Sequence, residues 1–268
     1  SFGHAVYMGV GAYAVGILSY YGLDNGFLQI PVALGASALI GLVFGAMSLR
    51  TTGVYFIMIT LAFAQMLYFL AISLEEFGGD DGMSSMRSEF GGVIDMYDAM
   101  QFYYVIFVVL ALVLFGLHRL VLSRFGMVIR AARSNDRRMQ AVGFPTYRYK
   151  LAAFTLASTI CGLAGVLFAN LNEFVSPDVM HWTHSGELMV MVIMGGMGTL
   201  IGPVLGATAF LLLEEYLPQW MEMAMTNAGE HWAIIMGPIL IAIVLFGRGG
   251  IHALFAATIW RSGGKRNG

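Results

Sequence analysis

Charge is scarce in this sequence: Asp, Glu, Lys and Arg make up 11% of the 268 residues, against 58% hydrophobic residues. Soluble domains carry roughly 25% charge, so this composition, with a mean hydropathy of +0.76, excludes an ordinary soluble domain and implies an integral membrane protein. Cysteine occurs once, as Cys161 inside an apolar run, which excludes an intrachain disulfide and leaves the redox compartment open. The six histidines are scattered, with no His-Glu-x-x-His and no paired cysteines, so no metal site is expected. His181 and His184 beside Asp178 are the nearest to a ligand set, and Trp182 between them reads instead as an interfacial anchor. No catalytic constellation is present. The phosphate-binding pattern G-x-x-x-x-G-K-[ST] is missing too, because Gly263-Gly264-Lys265-Arg266 lacks both the first glycine and the magnesium-binding hydroxyl. The chain is therefore expected to bind no cofactor of its own, and any energy must come from a partner. A net charge of −2 gives no reason to expect nucleic acid. The start at Ser1 has no initiator Met and no signal-peptide layout, while apolar texture is already under way at Ala5, so an N-terminal segment is expected to be missing.

What is present is a series of apolar runs at about 5–21, 28–49, 54–74, 102–122, 150–171, 188–213 and 232–247. Their lengths suit helices crossing a bilayer rather than barrel strands of about ten residues. The fold class is all-α, a single polytopic transmembrane helical bundle over residues 1–268. Charge gives its orientation. Arg124, Arg130, Arg133, Arg137, Arg138, Arg148 and Lys150 crowd one connection; Glu75, Glu76, Asp80, Asp81, Glu89, Asp95 and Asp98 crowd another, against a single Arg87. Short loops rich in Lys and Arg stay on the cytoplasmic side. Arg50, the loop 123–149 and the tail with Arg248, Arg261, Lys265 and Arg266 are placed there, with 22–27, 75–101, 172–187 and 214–231 outside.

That threading works only if 188–213 is not a simple crossing. Gly195-Gly196-Met197-Gly198 and Gly202-Pro203 interrupt it, glycine loosening the helix and proline removing a donor. A broken or re-entrant pair is expected, since irregular backbone at membrane depth survives only inside protein or beside a water-filled cavity. Small residues four apart, Ala33/Ser37/Gly41/Gly45, Ala153/Ala157/Cys161/Gly165/Ala169 and Gly198/Gly202/Gly206, read as helix-packing seams. Glu187 at the mouth of the broken segment, Gln65 and Asn170 at membrane depth, and Gly195, Gly196 and Gly198 at the break are candidates for a translocation pathway. For Gln65, Asn170 and Asn172 interhelical hydrogen bonding is the competing role, and for Glu187 plain solvation. The turn Gly78-Gly79-Asp80-Asp81-Gly82 lacks the ligand pattern of a calcium loop and reads as a tight turn or an acidic docking surface.

In the basic loop, Arg124-Phe125-Gly126 leads into a helix through Arg133. Ser134-Asn135-Asp136 can cap a second as far as Val142, which Gly143 and Pro145 end. On physics alone this segment is either a partner-docking element or a positive-inside loop touching lipid headgroups. The strings Arg130-Ala131-Ala132-Arg133-Ser134-Asn135-Asp136, Ala141-Val142-Gly143-Phe144 and Tyr147-Arg148-Tyr149-Lys150-Leu151-Ala152-Ala153-Phe154 resemble the coupling loop of branched-chain amino acid ABC importer permeases of the LivM type. The opening Ser1-Phe2-Gly3-His4-Ala5, the Gly78–Met83 turn and Met194-Gly195-Gly196-Met197-Gly198-Thr199-Leu200-Ile201-Gly202-Pro203 agree in order. Met83-Ser84-Ser85-Met86-Arg87 departs from the family's Leu- and Pro-containing continuation.

The resemblance implies one membrane subunit of a high-affinity importer in a bacterial inner membrane, paired with a LivH-type permease subunit, two cytoplasmic ATPase subunits that bind ATP and magnesium, and a periplasmic substrate-binding protein. It implies that Arg130, Ala132, Arg133, Asn135, Ala141 and Gly143 couple to the ATPase, and that this chain itself is not an enzyme. Leucine, isoleucine and valine are the implied substrates, with urea, short amides or aromatic acids as alternatives. A secondary transporter or channel remains the alternative of a different class.

Overall fold

The computed structural model describes residues 1–92, 95–224 and 237–238. The expected crossing 232–247 and the basic tail lie outside the described residues, except for Gly237 and Pro238. The chain divides into two compact units, Ser1–Ser185 and Gly186–Gly268. Each is described by itself.

In the first unit α1 (His4–Tyr20) is the central helix, with α2 (Gly26–Ser48), α3 (Val54–Ser73) and α7 (Thr146–Asn172) packed around it. Centrality follows from its small residues. Ala5, Ala12 and Val15 are fully buried, and a side chain at Gly11 would strike the Gly162 carbonyl of α7. The helices α2, α3, α4 (Ala99–Leu122) and α7 are each long and apolar enough to cross a membrane. Short polar residues start several of the helices: Asn25 Oδ1 accepts from Phe27 N–H at 2.9 Å before α2, and Asp98 Oδ1 from Met100 N–H at 3.0 Å before α4. Two small seams are visible, but the second is displaced. Ala33, Ser37, Gly41 and Gly45 of α2 are all buried, whereas on α7 the buried set is Phe154, Ser158, Gly162, Gly165 and Ala169, leaving Ala153, Ala157 and Cys161 half-buried on a neighbouring face.

The acidic connection is built onto one end of this unit. Met83–Ser84 pairs antiparallel with Phe174–Val175, a two-stranded sheet in an otherwise helical fold. Asn25 bridges to Glu89, which joins the 22–27 loop to the same end. Beneath these strands lies a buried polar network. Ser88 N–H donates to Asn170 Oδ1 at 2.7 Å, Ser88 Oγ donates to Gln29 Oε1, and Gln29 Nε2 donates to the Leu23 carbonyl at 3.0 Å. Arg87, the lone cation of the stretch, pairs with Glu173 Oε1 at 2.8 Å, donates to the Met96 carbonyl at 2.6 Å and lies over the Phe102 and Tyr97 rings. Glu173 takes the left-handed conformation (φ 53°) that ends α7.

The stretch 172–187, expected outside, does not stay at one end of the unit: after Val175 the chain turns back along α1. Val175 packs near Gly16, Met180 against Gly9, and Ser185 Oγ accepts from Ala5 N–H at 3.1 Å. From Gly16 to Ala5 this descent covers about 16 Å at 1.5 Å per residue. Charge misled because Asp178 and the histidines mark the segment as a loop, while the apolar Val175, Pro177 and Met180 bury against the bundle and decide its path. The helix α8 (Trp182–Gly195) therefore starts beside Phe2, whose ring meets Trp182 at 6.3 Å.

In the second unit α8 continues to Gly195, residues 196–201 break the helix, and α9 runs from Gly202 to Ala224. The expected limit at 213 is passed by eleven residues because Leu217 and Met221 continue the apolar face that packs with Met194 and Phe210. The 214–231 segment is thus helical as far as it is described, with Pro218 inside it.

Candidate functional site

At the end of the first unit opposite the acidic strands, the basic connection folds into two short helices. Ser123 makes the elbow: its N–H and its Oγ both reach the Leu120 carbonyl, at 3.1 and 2.6 Å, and Oγ accepts from Gly126 N–H at 3.4 Å. A Cβ at position 126 would meet the Leu120 and Val121 carbonyls, so only glycine lets α5 (Arg124–Ser134) fold back this tightly under α4. Asn135 then breaks and restarts the helix. Its Oδ1 accepts from Arg138 N–H at 2.9 Å, capping the six-residue α6 (Asp136–Ala141). Gly143, at φ 98°, turns the chain toward α7.

This pair of helices is tied back to the bundle. Lys150 Nζ and Asp136 Oδ2 are 2.7 Å apart, and the lysine holds the Asp136 carboxyl below the usual carboxylate range, chiefly through that hydrogen bond. Gln140 Nε2 reaches Thr146 Oγ1 at 3.1 Å, and Tyr147 Oη donates to the Ala46 carbonyl of α2 at 2.8 Å. These bonds join α6 to the first turns of α7, and Tyr147 joins α7 to the last turn of α2. The arrangement is a short pair of helices with polar ties to the bundle.

The six residues expected to couple do not share one face. Arg133, Asn135, Ala141 and Gly143 are exposed. Ala132 is buried, 6% exposed, on the inward face of α5. Arg130 is exposed, but its Nη2 is directed back to the Val121 carbonyl at 3.1 Å. The residues the sequence did not single out are Val142, 69% exposed, and Phe144, 38% exposed, at the tip beyond α6. Their signal was there: two apolar residues flank the glycine that ends a charged helix.

The pathway candidates separate likewise. Asn170 is fully committed, accepting from Ser88 and donating to the Val166 carbonyl at 2.8 Å. Gln65 is half-buried in α3, and its Nε2 has no hydrogen-bond partner among the described residues. Glu187 lies in α8, half-buried, one turn past its start. Gly195 packs backbone to backbone against Gly202 and Gly206, Gly196 turns the chain at φ 111°, and Gly198 is open. The third small seam therefore pairs Gly195, not Gly198, with Gly202 and Gly206. A residue missed altogether is Tyr13. Its hydroxyl is buried without a hydrogen-bond partner among the described residues, and the residue lines, with Met180, an apolar pocket of about 330 Å³ between α1, α2 and α3. His181 Nδ1 lies 2.8 Å from Thr183 Oγ1, its ring packed on Tyr68 and Trp182, and His184 Nε2 lies 4.0 Å from Asp178.

Comparison with known proteins adds an independent line. The family model described as "Branched-chain amino acid transport system / permease component" matches residues 1–244. Proteins named high-affinity branched-chain amino acid transport system permease protein LivM from Salmonella typhimurium and Escherichia coli are 29% and 28% identical over 260 residues, covering 87% of this chain and 61% of their own lengths. A protein of Methanocaldococcus jannaschii named probable branched-chain amino acid transport permease protein LivH is 24% identical over 94% of this chain and 82% of its own. The chain thus spans about three fifths of the length of the two bacterial relatives. No solved structure matches.

Proposed function

Because the chain belongs to the branched-chain amino acid transport permease family, we propose that it is a membrane subunit of an ATP-driven importer of leucine, isoleucine and valine. In this reading the end bearing α5 and α6 faces the cytoplasm, and the end bearing the Met83–Val175 strands faces a substrate-binding protein. ATP and magnesium are bound by two partner ATPase subunits, and a LivH-type permease forms the other half of the pathway. The similarity of this one chain to proteins named LivM and LivH supports a pairing of homologous but different permeases.

The observation that carries the proposal is the α5–α6 pair. A loop kept inside only for its charge needs no caps and no ties, whereas this one has both. Nucleotide-driven closure of the ATPase would push on the tip formed by Val142 and Phe144, and the Asp136–Lys150 and Tyr147–Ala46 ties would pass the motion to α7 and α2. The α8–α9 break, with backbones in contact at Gly195 and Gly206, is the element we assign to gating, re-entrant in the membrane. The catalytic step of hydrolysis lies outside this chain. The test is co-expression with the neighbouring transport genes: the tagged chain should bring down an ATPase, and a cysteine placed at Val142 should cross-link to it. Recovery of the chain without any ATPase from an intact membrane extract would contradict the reading.

A further inference from the structure

Among the described residues, α4 packs mainly on α5. Its most apolar stretch is buried nowhere, and it is held at its two ends, by Arg87 over Phe102 at 5.7 Å and by the Ser123–Gly126 elbow. Between α4 and α7 a crevice of about 420 Å³ is left open, closed at the basic end by α5. Leu117 and Val121 of α4 form one wall, Ala153 and Ala157 of α7 the other, and Phe125 the floor. Among the described residues, the single charged one lining it is Arg130.

We propose that this crevice binds an anionic phospholipid, one acyl chain lying between α4 and α7 and the phosphate held by Arg130. Among the described residues the lining is apolar apart from Arg130, which matches an acyl chain with a charged head. Charge selects the headgroup. Arg130 spends one N–H on the Val121 carbonyl, which fixes the guanidinium at the mouth of the crevice and leaves its other donors for phosphate oxygens. Arg124 and Arg133 are exposed on the same helix and add to the positive field. Basic pockets between membrane helices at the cytoplasmic face are the setting in which anionic headgroups bind. The consequence is that α5, the first half of the proposed lever, is anchored to the bilayer as well as to the bundle. The lipid site does not depend on ATP-driven transport, so either idea can fail alone.

The test uses the assembled complex in vesicles of equal parts phosphatidylcholine and phosphatidylglycerol, one of the two carrying a photoactivatable acyl chain. The phosphatidylglycerol probe should label peptides containing Leu117–Arg130 and Ala153–Cys161 in preference to the phosphatidylcholine probe. Arg130→Gln should lower that preference about fivefold, the contribution of one basic side chain at an anionic surface. Ala157→Phe, which fills the crevice, should remove labelling by both probes. Equal labelling by the two lipids, an unchanged preference in Arg130→Gln, or cross-links from this crevice to a partner permease in place of lipid would overturn the site.

Discussion

Replacing Asn135 with alanine isolates the lever from its surroundings. The substitution removes the side-chain acceptor that meets Arg138 N–H at 2.9 Å and leaves the rest of the exposed tip in place. Loss of such a cap costs about 1 kcal/mol, within a range of about 0.5–2. A helix of six residues has no reserve against that loss, since isolated helices shorter than about 12 residues are marginal in water. At about 1.4 kcal/mol per tenfold, the folded fraction of α6 relative to its frayed form falls about fivefold. Global stability changes little, because Asn135 is exposed and α6 contributes no buried side chain. The assay is ATPase activity of the reconstituted complex, stimulated by loaded binding protein. Asn135→Ala should lower stimulation severalfold while basal hydrolysis and assembly persist, and Asn135→Asp and Asn135→Ser, which cap as well as asparagine, should restore it. If aspartate and serine fail as badly as alanine, the cap is not what matters and the side chain is itself a contact. If alanine behaves as wild type, α6 is not part of the coupling path.

Other substitutions separate the remaining claims. Val142→Asp should abolish stimulated ATPase activity without loss of the folded chain, whereas Ala132→Leu, at a buried position, should destabilise by about 1–3 kcal/mol through overpacking, read as a lower melting temperature in detergent. Asn170→Leu leaves the buried Ser88 N–H without its acceptor, an unpaired donor worth about 1–3 kcal/mol, and should make the outer loop sensitive to protease at lower temperature. Gly206→Ala forces a methyl group into the Met191 carbonyl, so uptake should be lost while membrane insertion, measured by protease protection, is kept. The Asp136 carboxyl is held below its ordinary value of 3.8, so its contribution to stability is present above that value and is lost as pH falls through the lower native one. The difference in thermal stability between wild type and Asp136→Asn should thus be constant across the neutral range and close only in acid. It should also be small, because both partners are more than a third exposed.

The helices were legible because lipid imposes a length on apolar runs and because Asn and Ser announce starts: the stretch Ser134-Asn135-Asp136 foretells the start of α6, and the structure picks Asn135 as its cap. The acidic and basic ends were legible from charge. Three features were not. The Met83–Val175 strands join residues far apart in sequence, and two residues a side are too short to leave a period. The descent of 176–185 along α1 was hidden because Asp178 and the histidines mark a loop, while the burial of Met180 on Gly9 depends on a glycine 171 positions earlier. Within the site, small residues were read as contacts by type. Direction decides between them, and the helical phase that buries Ala132 leaves Val142 outward, which only the Gly126 elbow and the Asn135 break determine.

The central claim is that this chain conducts by coupling to an ATPase, and its energy source tests that most directly. In cells or vesicles carrying the complete complex, uptake of labelled leucine should stop when ATP is depleted with the proton gradient intact, and should persist when a protonophore collapses the gradient while ATP is maintained. Uptake that survives ATP depletion and stops with the protonophore would contradict the account.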